Sequence, residues 1–279
     1  MSESTAILDR YGVIGFPVAH SRSPIIHQQF ADQTDQQLSY ELIAARPDDL
    51  EATVRKFQRN GGRGLNITVP HKASVTRLVD EMSEEASIAG AVNTLVITPD
   101  QIVGHNTDGI GLIRDVCANW EVTLTNKRIL VLGAGGATQG ILSPILGHDP
   151  AMVTIANRNV AKAQALANHF GMLGTVEAKR FEEVRNLEPF DLIINATSAG
   201  LKGEQPPYPR NAIKPNITAC YDLSYGLTET PFISWAKTND AGATRSGWGM
   251  LIEQAAESFL LWRGVLPDTH DVLKRLPTK

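Results

Sequence analysis

Apolar positions in this chain fall into short runs separated by longer stretches of helical period. Tyr11–Gly15, Ser39–Ile43, Leu65–Val69 and Val92–Ile97 read as strands, while 24–33, 48–60 and 81–89 read as helices. Gly61-Gly62 stops the second helix and Pro70 ends the third strand. In LNITVPHK, Leu65, Ile67 and Val69 face one side of the strand, and Asn66 and Thr68 the other. A second half starts near Asp108, with a helix over 109–120. Its runs Arg128–Leu132, Met152–Ala156, Leu192–Asn195 and Ala219–Asp222 are largely apolar, of parallel-sheet character. The loop 203–215 holds four of the 15 prolines and is expected at the surface. A long amphipathic helix over Trp248–Arg263 closes at Gly264. Strands alternating with helices predict α/β layering with parallel strands.

Composition narrows the function classes. The 279 residues are 42% apolar and 20% charged, as in an ordinary globular protein of about two domains. A net charge of −4 gives no general electrostatic reason to bind nucleic acid or an anionic membrane. Two cysteines, Cys117 and Cys220, are too few for a disulfide framework, and no Cys/His spacing suits a metal. The start of the chain lacks a signal-peptide pattern, and no apolar stretch reaches the ~20 residues of a membrane helix. A cytoplasmic location is expected.

Directly after RILVL comes GAGGAT, Gly133 to Thr138, followed by an apolar helical segment from Gln139. Strand, glycine-rich turn and helix start together suit a dinucleotide pyrophosphate. Gly133 would permit the tight turn and Gly135 the approach of the phosphates, with the helix N-terminus supplying N–H groups. The third fingerprint position is Thr138 rather than Gly or Ala. After the next strand stand Asn157, Arg158 and Asn159, with Lys162 a turn later. An NAD site places a carboxylate here; its absence beside an arginine points to the 2′-phosphate of NADP. A solvated Arg and Lys at a helix start is the alternative.

In HSRSPIIH, Ser23 is expected to cap a helix with Pro24 at its first position. The second hydroxyl, Ser21, is not explained by capping, and two hydroxyls at a helix start suit a small carboxylate. Thr68 and Lys72 lie just past a strand end, where open sheets collect ligands. Asn93 and Thr94 of AVNT, and Asp108 of HNTDG, add polar groups. Asp108 either orients Lys72 or caps the following helix.

Taken in order, SRSPIIHQQF, LNITVPHK, GAVNTL, HNTDG, GAGGAT, NRNVAK, NATSAG, YDLSYG and GMLIEQAA resemble the shikimate dehydrogenase family over essentially the whole chain. The resemblance implies a substrate domain over 1–108, a Rossmann-like NADP-binding domain over 109–245, and a C-terminal helical segment, 246–279, returning to the first. It implies NADPH-dependent, reversible reduction of 3-dehydroshikimate to shikimate, with Lys72 as acid/base and Asp108 as its partner. Ser21, Ser23, Thr68, Asn93, Tyr225 and Gln254 match substrate contacts. Gly133, Ala134, Gly135, Gly136 and Ala137 match the pyrophosphate loop; Asn157, Arg158, Asn159 and Lys162 match the 2′-phosphate site. Glu84, Leu223 and Gly247 match positions near the cofactor. His105 stands where the family commonly has Asp, and Lys162 where it has Arg. Related expectations are a quinate/shikimate enzyme of looser cofactor choice, or a non-catalytic NADPH sensor. A monomer or homodimer acting on a small molecule, without metal, completes the reading.

Overall fold

The structure, a computed structural model, describes residues 8–197, 208–226 and 228–275. These form two compact units: the chain up to Thr107 together with Gln254–Arg275, and Asp108–Glu253. The sequence reading placed the divisions at 108/109 and 245/246. The later point moves because the start of the last long helix is tied into the second unit.

The first unit begins with β1 (Asp9–Gly15), α1 (Ser23–Gln33), β2 (Leu38–Ala44), α2 (Leu50–Arg59) and β3 (Gly62–Ile67). It continues with β4 (Glu81–Met82), α3 (Glu84–Ala89), β5 (Thr94–Ile97) and β6 (Ile102–His105). Its sheet runs β2-β1-β3-β5-β6-β4. The β1 strand is parallel to β2 and β3, whereas β5 is antiparallel to both β3 and β6. This sheet is therefore mixed rather than all parallel. Only the two connections from β1 to β2 and β2 to β3 carry a crossover helix, whereas β5 and β6 are joined by a short hairpin.

Local chemistry explains the remaining shifts in this unit. The helix expected over 81–89 starts only at Glu84, because Ser83 caps it by accepting a hydrogen bond from the Ala86 amide at 3.2 Å. One 3₁₀ turn, Pro47–Asp49, precedes α2. Leu50, Val54 and Phe57 of α2 are buried at helical spacing and join Ile14, Leu65, Ile67, Val75 and Leu95 in one apolar core.

The second unit opens with α4 (Asp108–Ile113), continued by a π-helical turn, Arg114–Asn119. Then follow β7 (Arg128–Leu132), α5 (Gly136–Leu146), β8 (Met152–Ala156), α6 (Val160–Phe170), β9 (Val176–Lys179) and β10 (Leu192–Asn195). After them come β11 (Ala219–Asp222), α7 (Pro231–Thr238) and β12 (Ala243–Ser246). The sheet order is β12-β11-β10-β7-β8-β9, and every pair is parallel. Counted within the unit this is 3-2-1-4-5-6, the doubly wound arrangement whose ligand crevice opens between the first and fourth strands. Part of the proline-rich loop, 203–207, lies outside the described residues.

Helix α8 (Trp248–Arg263) follows, then α9 (Thr269–Arg275). The first turns of α8 belong to the second unit through a buried cluster. Asp115 is fully buried, receives the Arg245 guanidinium at 2.6 and 3.1 Å, and accepts the Tyr221 hydroxyl at 2.6 Å. A Cβ on Gly249 would come within 1.9 Å of the same carboxylate, so only glycine lets the helix pass. Asn119 adds a bond to Glu253 at 2.9 Å.

Candidate active site

In the second unit, register brings two turns side by side. Leu132 pairs with Ala156, so the glycine-rich turn and the Asn157–Asn159 turn leave adjacent strands at the same sheet edge. Gly133 has φ +108, and a Cβ there would meet the Ala196 carbonyl at 3.0 Å; the turn requires glycine. Gly135 is different. A Cβ there would meet nothing within 4 Å, and no side chain caps α5 at this residue. No contact inside the protein demands this glycine, while an approaching phosphate would, so these residues fit a dinucleotide. Gly136 and Ala137 are the first residues of α5, whose opening N–H groups have no intrahelical acceptors. Ala134 lies between the two glycines.

Thr138 explains its own departure from the fingerprint. It is fully buried, and its hydroxyl donates to the Gly133 carbonyl at 3.0 Å, closing the turn from inside. Asn157 donates to the Asn159 carbonyl at 2.8 Å, and Asn159 caps α6 by accepting from the Ala161 amide at 3.1 Å. The Asn159 side chain is thus engaged in the cap. Arg158 and Lys162 are exposed, and neither forms an ion pair with a described residue.

Leu223 and Gly247 meet through their backbones. A Gly247 Cβ would lie 2.3 Å from the Leu223 carbonyl oxygen, and the Leu223 amide donates to Asn195 at 2.9 Å. Tyr225 is half-buried, its ring 4.9 Å from that of Trp248. Asp108 is buried at the first residue of α4.

The first unit gathers a second set at one sheet edge. Strands β1 and β3 are parallel, so the segments after Gly15 and Ile67 emerge together; these carry Ser21, Ser23, Thr68 and Lys72. Strand β5 runs the other way, so Asn93, just before it, reaches the same edge, as does Thr107 after β6. The Lys72 carbonyl accepts from Val92 at 2.8 Å, which fixes its loop beside Asn93.

Ser23 is not the cap expected. Helix α1 starts at Ser23 itself, Arg22 occupies the cap position, and no side chain makes a capping bond there. Pro24 is thus the second helical residue. Instead, Ser21 Oγ accepts from the Ser23 amide at 3.3 Å and donates to Ser23 Oγ at 3.1 Å. The pair of hydroxyls is a local unit.

Asn93 has a fixed orientation. Its Oδ1 accepts from the Thr107 backbone N–H at 2.8 Å, and a backbone N–H can only donate. Its Nδ2 therefore faces Gln254 Oε1 at 3.2 Å. With that oxygen engaged, the Gln254 side chain has N–H donors as its remaining polar groups. His105 sits at the end of β6, where burial lowers its pKa and Glu85 opposes the shift.

Glu84, grouped with the cofactor residues on sequence, is exposed in the first turn of α3 in the first unit. The other cofactor candidates are in the second. The sequence reading missed Tyr40, Thr138 Oγ and Ser258 as site-supporting groups. Ser258 had a findable signal: it follows Gln254 by four residues on a helix, which places both on one face.

A doubly wound sheet with a glycine-rich turn at its ligand crevice, next to a carboxylate-free turn, defines a nucleotide-binding α/β protein of the dehydrogenase type. Residues 13–95 match the model of the shikimate dehydrogenase substrate binding domain. Residues 117–202 match shikimate / quinate 5-dehydrogenase, and 247–276 the shikimate 5′-dehydrogenase C-terminal domain. The NADP(+) shikimate dehydrogenase of Hahella chejuensis is 48% identical over 96% of this chain and 98% of its own length. An Ael1 enzyme from Pseudomonas putida aligns with TM-score 0.88 at 43% identity, covering 97% of this chain and 100% of that one. Shikimate 5-dehydrogenase from Thermus thermophilus, solved with NADP(H) and shikimate, aligns with TM-score 0.84 at 32% identity over 96% and 98%. The chain belongs to the shikimate dehydrogenase family.

Proposed function

We propose that this protein catalyses the NADPH-dependent, reversible reduction of 3-dehydroshikimate to shikimate. The observation that carries the cofactor half is Gly135, whose missing side chain serves no internal contact. The pyrophosphate would rest on Gly133–Ala137 and the first N–H groups of α5, with the 2′-phosphate against Arg158 and Lys162. Leu223 and Gly247 would offer backbone to the same cofactor. When bound, NADPH supplies the hydride for the ketone carbon.

The remaining work falls to the chain. Ser21 and Ser23 would hold the substrate carboxylate, and Thr68, Asn93, Gln254 and Tyr225 its ring oxygens and carboxylate. As the carbonyl carbon gains hydride, its oxygen gains negative charge, and Lys72 Nζ delivers the proton that completes the hydroxyl. Asp108 acts with Lys72 as an electrostatic partner. In the oxidative direction the same lysine removes the hydroxyl proton.

The test is turnover with shikimate and with quinate, using NADP and NAD in separate assays. Shikimate with NADP should be the preferred pair. Lys72→Met should lower turnover by about 10²–10⁴-fold, the range of general acid–base catalysis, with cofactor affinity unchanged. Asp108→Asn should also lower it, and the double variant should be little worse than the more damaging single change. Normal turnover in Lys72→Met would remove the lysine from this role. Cofactor binding without turnover in the wild-type protein would indicate a sensor instead.

A further inference from the structure

We infer that Tyr40 is a positioning residue for substrate recognition, acting through a buried chain of hydrogen bonds that ends at Asn93 and Gln254. It rests on the reading above that Asn93 and Gln254 meet the substrate, and it adds residues that touch no substrate atom.

The chain starts on β2. The Tyr40 hydroxyl donates to Asn66 Oδ1 at 2.7 Å. That bond orients the amide, so Asn66 Nδ2 donates to Thr94 Oγ1 at 3.1 Å and to Ser258 Oγ at 3.0 Å. With their lone pairs so engaged, both hydroxyls pass a proton onward. Thr94 donates to Asn93 Oδ1 at 3.1 Å, and Ser258 to the Gln254 carbonyl at 3.0 Å. Thr107 Oγ1 reinforces the end of the chain, accepting from Asn93 Nδ2 at 2.9 Å and donating to the Gln254 carbonyl at 3.0 Å. The bonds from Tyr40 through Asn66 and Thr94 run toward Asn93, whose Nδ2 reaches Gln254 Oε1, while the Thr94 and Ser258 hydroxyls also lie 2.8 Å apart and Ser258 ends on the Gln254 backbone carbonyl.

The start of the chain is held rigidly. Tyr40 stacks on His27 with ring centroids 4.4 Å apart and planes at 11°. His27 in turn lies among Phe30, Phe259 and Trp262 at 5.9, 6.2 and 5.3 Å. Asn66, Thr94, Thr107 and Ser258 are all buried, so water does not replace a missing member freely. Loss of the Tyr40 hydroxyl would leave Asn66 Oδ1 without that donor and free the amide to turn over. Thr94 and Ser258 would then lose the partner that sets their direction, and Asn93 the Thr94 hydroxyl bond that helps hold it against Gln254, while the Thr107 N–H still sets which end of the amide faces Gln254.

The experiment is a double-mutant cycle on Tyr40→Phe and Gln254→Ala, with Michaelis constants for shikimate and NADP measured in all four proteins. The phenylalanine keeps the stack on His27. Tyr40→Phe alone should raise the shikimate constant roughly 3- to 10-fold, the size of one neutral hydrogen bond, and leave turnover and the NADP constant within about twofold. In the Gln254→Ala background the same change should have a clearly smaller effect than in the wild type, because one of the two groups it acts through is gone. A lowered melting temperature with an unchanged shikimate constant would make Tyr40 a merely structural residue and overturn the inference. So would full multiplication of the two losses. If Gln254→Ala itself leaves the shikimate constant unchanged, the assignment of Gln254 to the substrate fails instead, and the Tyr40 inference falls with it.

Discussion

His27 makes the stability of this protein depend on pH in a calculable way. Its ring is fully buried, and desolvation lowers its pKa from 6.5 to about 3, the neighbouring Asn66 side chain opposing that shift only in part. The unfolded chain therefore binds a proton that the folded one refuses, and stability falls as pH drops from about 6.5 toward 3. Linkage with these two values gives a loss of about 2 kcal/mol between pH 7 and pH 5, and about 5 kcal/mol once pH is below 3. Because the ring is wholly buried, no discount for solvent screening applies. His27→Phe removes the titration while keeping an aromatic ring against Tyr40, and its loss of two buried ring nitrogens should make it no less stable at pH 7. Urea unfolding of both proteins at pH 7, 6 and 5 checks this, with amide exchange in α1 reporting on the unit concerned. The variant should lose about 2 kcal/mol less than the wild type over that range. Parallel curves would refute the argument and mean that the His27 ring finds a proton acceptor on acidification.

Three further outcomes are expected. Arg158→Ala should weaken NADP about 10- to 100-fold, nearer tenfold because the side chain is exposed, and leave NAD within twofold; titration with each cofactor decides it. Gly249→Ala forces a Cβ to within 1.9 Å of the Asp115 carboxylate that Arg245 and Tyr221 hold, and should cost about 2–4 kcal/mol in thermal or urea unfolding. Ser21→Ala and Ser23→Ala should each raise the shikimate Michaelis constant several-fold with little change in unfolding midpoint, since neither hydroxyl makes a helix-capping bond; a loss of ~1 kcal/mol in Ser23→Ala would restore the capping role.

What the sequence reveals here depends on how local the cause is. Strands β7, β8, β10 and β11 are legible to the residue, because each is an apolar run buried on both faces. Strands β6, β9 and β12, with sequences IVGH, VEAK and ATRS, carry no such run; pairing with a neighbour defines them. Gly133 is legible because a positive φ needs glycine wherever it occurs. The Ser23 cap misled because the helix starts at Ser23 itself, with Arg22 at the cap position and no capping side chain. Tyr40 is invisible in sequence because its partner Asn66 is 26 residues away on another strand. Nothing in either neighbourhood marks the pair.

The ends of β10 and β11 carry an acidic group where an anionic cofactor would be unwelcome, and the fold accounts for it. Asp222 is buried, and burial raises its pKa, while hydrogen bonds from Thr230, Ser224 and Asn195 pull it down. Its Oδ1 accepts the Asn195 amide and the Ser224 backbone N–H, both at 3.0 Å, and its Oδ2 accepts the Thr230 hydroxyl at 2.5 Å. Those donors come from β10, from the turn after β11 and from the cap of α7, so the carboxylate ties three segments together. Its negative charge is met by fixed dipoles of hydrogen-bond donors rather than by a cation. The turn after β8, where a carboxylate would select NAD, has none. Asp222 is thus held by strand ends and a helix cap, and among the described residues Arg158 and Lys162 make no ion pair beside the glycine turn, which suits a 2′-phosphate.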